Sequence, residues 1–414
     1  MLRFLTIPLA AVVLAGVPCA ASDPLPVAPM PRPVGLPAGT SASISAPLSS
    51  FSGRTEIIRT KLMREYGANA DSERAVALGL AWLARQQKQD GSWEFDAGDK
   101  DDRAAATGLV LLPFLAVSQT HKDEKAKYQQ AVAAGLDFLK KRCPTTGAKA
   151  GQFEGATTMT GQALAALALC EAYGMTRDAE LKPVAQAGLN FIQKNQAKDG
   201  GWSDKPGGKS DLAVVGWQIQ ALSAGRLTND LVVDNRIIKN AVKFLDGVSA
   251  GSRKSMYGPT DNADAKPGTL PTAIGLWCRY HIDGWGPSHP GLIDGVAGLA
   301  KSPPSETNRD PLYLYYAAWV LLRYEGEDWK NWNEGPKAAD GSRKGGMRDL
   351  LFGLLVRKDG AMLGSWDANG DSGRRFGRLG TTALNVLTLE VYYRYLPLYK
   401  RGADGNAVQI LEDE

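Results

Sequence analysis

The fold is decided by Gly188-Leu189-Asn190-Phe191-Ile192-Gln193-Lys194-Asn195-Gln196-Ala197-Lys198-Asp199-Gly200-Gly201-Trp202. Its first part places apolar residues at helical spacing, and its last part ends that helix in a Gly-aromatic turn. The helical part recurs as Gly79-Leu80-Ala81-Trp82-Leu83, Gly135-Leu136-Asp137-Phe138-Leu139 and Ala241-Val242-Lys243-Phe244-Leu245. The turn recurs as Asp90-Gly91-Ser92-Trp93, Gly151-Gln152-Phe153, Tyr257-Gly258 and Gly364-Ser365-Trp366. A period of about 55 residues therefore holds two helices and their loops.

A second helix, more apolar than the first, is predicted after each turn. The second helices are predicted at 102–118, 157–173, 211–225, 270–281, 311–325 and 378–395. The first helices are predicted at 72–88, 125–142, 178–195, 235–248, 290–300 and 345–357. Six such hairpins can close into a ring, so we predict an all-α fold, an α6/α6 toroid of six buried inner and six amphipathic outer helices. An open solenoid is the alternative, but it would need polar capping repeats at its ends.

The two ends of the chain differ in composition from the repeats. Arg3, the apolar run 5–17 and the small residues Cys19-Ala20-Ala21 predict a signal peptide over 1–21. Seven prolines within 22–52 predict a disordered Pro/Ser/Ala-rich linker. We expect the toroid over 53–398 and a polar tail over 399–414. The chain is thus predicted to be exported, periplasmic or extracellular, with no transmembrane segment in its mature form.

Composition narrows the function further. The 414 residues are 44% hydrophobic and carry a net charge of +4, which excludes a disordered chain and gives no reason to expect a nucleic-acid partner. Only three His occur, so His-rich metal motifs are excluded. Cys143, Cys170 and Cys278 remain after signal removal, and this odd number is not a disulfide framework.

The Gln-rich helix ends carry a family resemblance. The runs Gln86-Gln87-Lys88-Gln89-Asp90-Gly91-Ser92-Trp93 and Gln193–Trp202 resemble the repeats of squalene cyclases and protein prenyltransferases, the terpenoid cyclase superfamily. The resemblance covers about residues 72–395, and the chain looks like an exported branch of this family that lacks the DxDD motif. It implies the same toroid, and it is less specific for activity than for fold.

This sequence departs from the family at the residues that carry the chemistry the resemblance implies. Squalene-type cyclases protonate an alkene with a DxDD acid, but here Ser210 stands at the donor position and only Asp211 matches the motif. Prenyltransferases bind zinc, but Ala213 stands where they have Cys, and Cys278 with His281 lacks a third ligand. We therefore predict no squalene-type protonation, no metal and no cofactor; Asp211 is the best catalytic candidate.

All inner helices of such a ring begin at one end, so six positive helix dipoles converge there. Asp102, Asp211 and Asp310 are predicted N-caps, and nearby cations suggest that this end accepts an anionic head group. Inner-helix aromatics could line a cavity for an isoprenoid or a sugar ring. The candidate ligand-binding residues are Asp102, Arg103, Asp211, Trp217, Trp277, Asp310, Tyr313, Arg375 and Arg378. Capping and core packing are the alternative roles for these residues.

Three classes of function remain open. The first is an exported protein that binds an isoprenoid, a lipid-like or an anionic small ligand in the toroid cavity. The second is a non-catalytic envelope scaffold that binds other envelope proteins. The third is a polysaccharide lyase or hydrolase, which would need a carboxylate pair or another base. The shape of the interior discriminates among them: a deep apolar chamber, a filled ring or an open polar cleft, respectively.

Overall fold

The computed structural model describes residues 51–205, 207–261, 266–358, 360–401 and 407–409. The predicted signal peptide and nearly all of the predicted linker lie outside these residues. Over the described parts the α-helices are, in chain order, α1 (Glu56–Tyr66), α2 (Ala70–Arg85), α3 (Arg103–Ala116), α4 (Gln129–Lys141), α5 (Met159–Thr176), α6 (Leu181–Lys194), α7 (Leu212–Arg226), α8 (Asn235–Val248), α9 (Thr269–Ile282), α10 (Pro290–Leu299), α11 (Pro311–Tyr324), α12 (Gly326–Glu334), α13 (Met347–Leu354) and α14 (Gly370–Leu389). A 3₁₀ turn at Ser52–Arg54 precedes them.

Strands are short. Two-residue strands β1 (Ser249–Ala250) and β2 (Met256–Tyr257) pair antiparallel between α8 and α9. Strands β3 (Tyr399–Arg401) and β4 (Ala407–Gln409) pair antiparallel within the predicted tail. None of the described helices is long and apolar enough to cross a membrane.

The inner helices close a ring. Helix α3 packs on α5, α5 on α7, α7 on α9, α9 on α11, α11 on α14, and α14 returns to α3. The outer helices α2, α4, α6, α8, α10 and α13 lie against this ring, so the predicted α/α toroid is confirmed. Helices α1 and α12 were not predicted; Trp329 of α12 donates its indole N–H to the backbone oxygen of Tyr66 at the end of α1.

The ring is filled along its axis. Every residue of α3 from Ala104 to Ala116 is buried, and so is every residue of α11 from Pro311 to Arg323. A helix that is buried on all sides has no face on a solvent-filled channel. The inward side chains of the inner helices therefore pack against each other across the axis as a continuous core.

The Gly-aromatic turns at Trp93 and Trp366 fix their hairpins by the same bonds. The indole N–H of Trp93 donates to the oxygen of Leu83 (2.7 Å) in the last turn of α2, and its backbone N–H donates to Thr107 Oγ1 (3.0 Å) on the next inner helix. Trp366 repeats both bonds, to the oxygen of Leu351 and to Thr382 Oγ1. The aromatic side chain thus joins an outer helix to the following inner helix.

Helix α14 departs from the predicted range of 378–395. A left-handed residue, Gly377 with φ of 65°, breaks it into two parts, and the helix ends at Leu389. Asp96 then caps the second part by accepting from Leu379 N (3.0 Å). Beyond Leu389 the chain leaves the helix, and Arg394 bonds to Glu171 of α5.

Candidate functional site

The site lies where the inner helices begin, and we call this end of the ring the mouth. The mouth comprises Asp99, Asp102, Asp204, Asp211, Asp310 and Arg375. Five of its six residues are acids, and each is placed by a helix start or by the loop before one. The sequence predicted four of these six residues.

Asp102 joins the starts of α3 and α5. Its Oδ1 accepts from Ala105 N (2.9 Å), and its Oδ2 accepts from the backbone N–H (3.2 Å) and hydroxyl (2.7 Å) of Thr158. The side chain is fully buried, and this burial raises the pKa of Asp102 above its ordinary value although the hydrogen bonds oppose the rise. Asp102 is therefore a two-helix cap, and its carboxylate does not face a ligand.

Arg375 is the cation at the centre of the mouth. Its Nε donates to Asp99 Oδ2 (2.6 Å) and one terminal nitrogen donates to Asp204 Oδ2 (2.7 Å). Burial opposes the charge, but the two carboxylates outweigh it and raise the pKa of Arg375. The other oxygen of Asp204 accepts from the backbone N–H and hydroxyl of Thr160 in the first turn of α5. Three segments that are distant along the chain therefore meet at the guanidinium of Arg375. The Arg375 side chain is 30% exposed.

Asp211 stands at the start of α7. Its Oδ1 accepts from Ala213 N (2.8 Å) and Val214 N (3.4 Å), which makes it the N-cap that the sequence predicted. Burial raises the pKa of Asp211, the charge of Asp204 raises it further, and Arg375 acts in the opposite direction. Asp211 is half-buried, so this carboxyl can be reached from solvent.

Asp310 ties α11 to α14. It caps α11 by accepting from Leu312 N (3.0 Å) and Tyr313 N (3.2 Å), and it accepts from the N–H (3.0 Å) and hydroxyl (2.8 Å) of Ser372. Helix starts that already bond carboxylates have few free N–H groups for an incoming anion. The capping alternative thus describes Asp102, Asp211 and Asp310.

The other two predicted arginines lie on the inner helices α3 and α14 and contact the hairpin turns. Arg103 donates to Asp90 (2.7 Å) in the turn after α2, and Arg378 pairs with Asp367 in the equivalent turn before α14. Arg378 also donates to Ser365 Oγ (2.8 Å). The two arginines occupy matching places in the repeat, where each clamps a Gly-aromatic turn.

The predicted aromatic residues are packed inside the ring. Trp217 stacks on Tyr315 with ring centroids 5.8 Å apart, and Trp277 stacks on His281 at 4.1 Å. Tyr313 is also buried and donates its hydroxyl to the oxygen of Ser302 (2.8 Å). None of the three is exposed above 3%, so the structure places them in the core.

Cys278 and His281 lie together on α9. Burial raises the pKa of the Cys278 thiol and lowers the pKa of His281 to about 3. The raised pKa of the Cys278 thiol does not suit a metal ligand, since a metal binds the thiolate form of cysteine. Within the described ranges, no three His, Cys, Asp or Glu side chains are grouped in a way that could hold a metal ion.

Sequence reasoning missed Asp99 and Asp204. Asp204 follows Trp202 by two residues, and acids also follow two other turn aromatics, as Glu94 after Trp93 and Asp367 after Trp366. Aligning the repeats on their aromatic residue would have shown that an acid recurs just beyond it. The meeting of Asp204 with Arg375, 171 residues away, follows from ring closure and has no local signal.

No family profile matches this chain, and neither does any curated protein. Solved structures share its fold. A cellobiose 2-epimerase from Spirochaeta thermophila has 13% identity and a TM-score of 0.55 over 82% of this chain and 98% of its own. An alpha-1,6-mannanase from Salegentibacter sp. has 11% identity and a TM-score of 0.51 over 78% and 98%. A type II terpene cyclase from Scytonema has 14% identity and a TM-score of 0.50 over 78% and 98%. Identities this low show a common α/α toroid and nothing finer.

Proposed function

We propose that the protein binds an oligosaccharide at the mouth of its ring and that Asp211 and Asp204 perform acid–base chemistry on it. The observation that carries the proposal is the half-buried Asp211, whose raised pKa contrasts with the ion-paired environment of Asp204. Two carboxyl groups in unlike environments are the usual arrangement for glycosidic bond cleavage.

The different surroundings of Asp211 and Asp204 would give their carboxyl groups different roles. Oδ1 of Asp211 is fixed by the start of α7, so Oδ2 would carry the proton that a leaving glycosidic oxygen takes up. Asp204 is oriented by Thr160 and by Arg375, so it would activate a water or bind the sugar. Arg375 and Asp99 would supply hydrogen bonds to hydroxyl groups at the same opening.

The filled ring favours a saccharide over an isoprenoid. A terpene cyclase shares this fold, and the terpenoid-type repeats suggest an isoprenoid ligand, but such a ligand needs a deep apolar chamber. The buried faces of α3 and α11 leave its chain no room along the axis. The mannanase and the epimerase, by their names, act on sugars, and a polar mouth above a packed core suits that class of ligand.

A scaffold role is the second candidate, because a filled ring with capped helix starts would also suit a protein that only binds other envelope proteins. We further propose that the chain is exported, as its first residues indicate. The binding test separates the scaffold role from the sugar chemistry, since a scaffold would bind no sugar at the mouth.

The test is binding and turnover with alpha-1,6-mannotriose, cellobiose and maltotetraose as saccharide probes and geranylgeraniol as the isoprenoid probe. Calorimetry measures binding, and chromatography measures product release. We expect one saccharide to bind and to be converted. Asp211→Asn should lower the rate by roughly 10²- to 10⁴-fold, because it removes the transferable proton but keeps the helix cap.

The matched control is Asp234→Asn. Asp234 caps the outer helix α8 by accepting from Arg236 N (2.8 Å), so the variant makes the same chemical change away from the mouth. It should leave binding and turnover unchanged. Binding of geranylgeraniol alone, or of no probe, would overturn the proposal, and equal rates for Asp211→Asn and the native chain would remove Asp211 from the chemistry.

A further inference from the structure

A second opening lies on the flank of the ring, away from the mouth. A cleft of about 380 Å³ separates the end of α8, the loop 251–255, the last turn of α9 and the start of α10. Its polar lining comprises Asp246, Arg253, Lys254, Arg279, Asp283 and His289. Its volume is within the usual range of small-molecule sites.

Arg279 forms a rigid floor. Its side chain is 2% exposed, and its guanidinium donates to Asp283 Oδ2 (2.7 Å), Asp246 Oδ1 (2.5 Å) and the hydroxyl of Tyr257 (3.0 Å). Three partners on three different segments hold one planar group in place. The second oxygens of Asp246 and Asp283 stay beside it as acceptors at fixed positions.

One wall is aromatic. Trp285 contacts the guanidinium of Arg279, which lies 5.0 Å from its ring, and it stacks on the imidazole of His289, whose ring centroid is 4.0 Å away. Nδ1 of His289 accepts from Gly291 N (3.1 Å). Burial lowers the pKa of His289 and so favours the neutral ring; because Nδ1 accepts, the proton of that ring is on Nε2, where it can be donated.

The rim is charge-balanced. Lys254 pairs with Asp246 (2.7 Å), and Arg253 pairs with Asp294 (3.1 Å) just outside the cleft. Among the described groups here, Arg253, Lys254 and Arg279 are therefore matched by three carboxylates. A cleft without net charge has no electrostatic preference for an anion or a cation, yet it is dense in both donors and acceptors.

We propose that this cleft binds a small neutral polyol, such as a monosaccharide unit. A hydroxyl group donates and accepts at once, so paired carboxylates and guanidiniums can bond vicinal hydroxyls without leaving a buried charge. The prearranged floor reduces the ordering cost of such a contact. The inference does not rest on the proposed function, because the cleft shares no residue with the mouth.

The test uses methyl α-D-mannopyranoside, methyl β-D-glucopyranoside and myo-inositol as neutral probes, with glucose 6-phosphate and glucosamine as charged comparators. Saturation-transfer NMR and titration on the full chain measure binding. We expect millimolar binding of at least one neutral probe. Arg253→Ala should weaken it roughly tenfold by removing a charged donor, and Ser252→Trp, which fills the cleft from its exposed rim, should abolish it.

The matched control is Arg177→Ala, since Arg177 and Asp230 form a similarly exposed ion pair (2.6 Å) elsewhere on the surface. It should leave the affinity unchanged. Binding must also persist in Asp211→Asn, which separates this site from the mouth. Three outcomes would overturn the inference: no neutral probe binds, a charged comparator binds more than tenfold tighter, or Ser252→Trp binds as the native chain does.

Discussion

Glu390, at the end of α14, should make the protein less stable as pH rises. Its side chain is fully buried, and neither carboxyl oxygen bonds to a group within the described residues. Burial raises the pKa of Glu390 well above its ordinary value, with Arg394 opposing and the nearby Glu73 adding to the rise. Burial likewise raises the pKa of Glu73 to about 7, and Arg59 opposes it.

The direction of the pH dependence follows from which state of the chain, folded or unfolded, keeps the proton. Above about pH 4.5 the unfolded chain releases these protons while the folded chain keeps them, so the free energy of unfolding falls by about 1.4 kcal/mol per pH unit for each group. For Glu73, whose pKa is raised from 4.5 to about 7, the loss between those values is about 3 kcal/mol. The raised pKa of Glu390 adds a loss of the same sign above about pH 4.5.

Glu390→Gln removes the contribution of Glu390 to the fall in the free energy of unfolding and leaves the contribution of Glu73. The variant should match the native chain within about 1 kcal/mol near pH 4.5, since a neutral amide replaces a protonated carboxyl. It should be more stable by pH 8, with a shallower slope. Urea unfolding at half-unit steps from pH 4.5 to 8.5 measures both, and the exposed Glu306→Gln is the control. Parallel pH profiles for Glu390→Gln and the native chain would refute the reasoning.

Three further predictions concern the core. Glu171→Ala should cost about 3–5 kcal/mol, since it leaves two fully buried arginines without their carboxylate; urea unfolding checks it, and a cost below about 1 kcal/mol would contradict it. Gly200→Ala should lower the melting temperature, since φ is +91° and an added Cβ would lie 2.0 Å from the oxygen of Asn240; calorimetry showing no change would count against that geometry. Cys170 and Cys278 are buried with raised pKa values, so a thiol reagent at pH 8 should leave both unlabelled until the chain unfolds; labelling of the native chain, read by mass spectrometry, would be the contrary result.

Much of the ring could be predicted because its signals are local. Helix α9 was predicted over 270–281 and extends over Thr269–Ile282, since its apolar spacing and flanking turns lie within one segment of chain. Helix α1 was missed because it precedes the Gly-Leu repeat on which the alignment depended. The end of α14 was placed six residues too late: the helix ends at Leu389, and Arg394 beyond it bonds to Glu171, a contact 223 residues away that has no local signal.

The mouth was predicted in part for the same reason. Asp211 was found because an N-cap is a local feature, whereas Asp204 lies in a loop and acts on Thr160 and Arg375 from other repeats. The aromatic residues could not be assigned from spacing alone. Trp217 has the same helical position whether it lines a cavity or fills a core, and only the packing of Tyr315 against it decides.

The buried cluster of Glu171 with Arg54 and Arg394 has a consequence for biosynthesis. Arg54 is made early and Arg394 near the end, 223 residues after Glu171. At roughly 5–20 residues per second, a ribosome needs on the order of 10–45 s to supply that last partner. Until then Glu171 of α5 cannot pair with both arginines, so the nascent hairpins remain an open arc. The ring can therefore close only once the segment that carries Arg394 has been synthesised, and the open arc needs protection from aggregation until then.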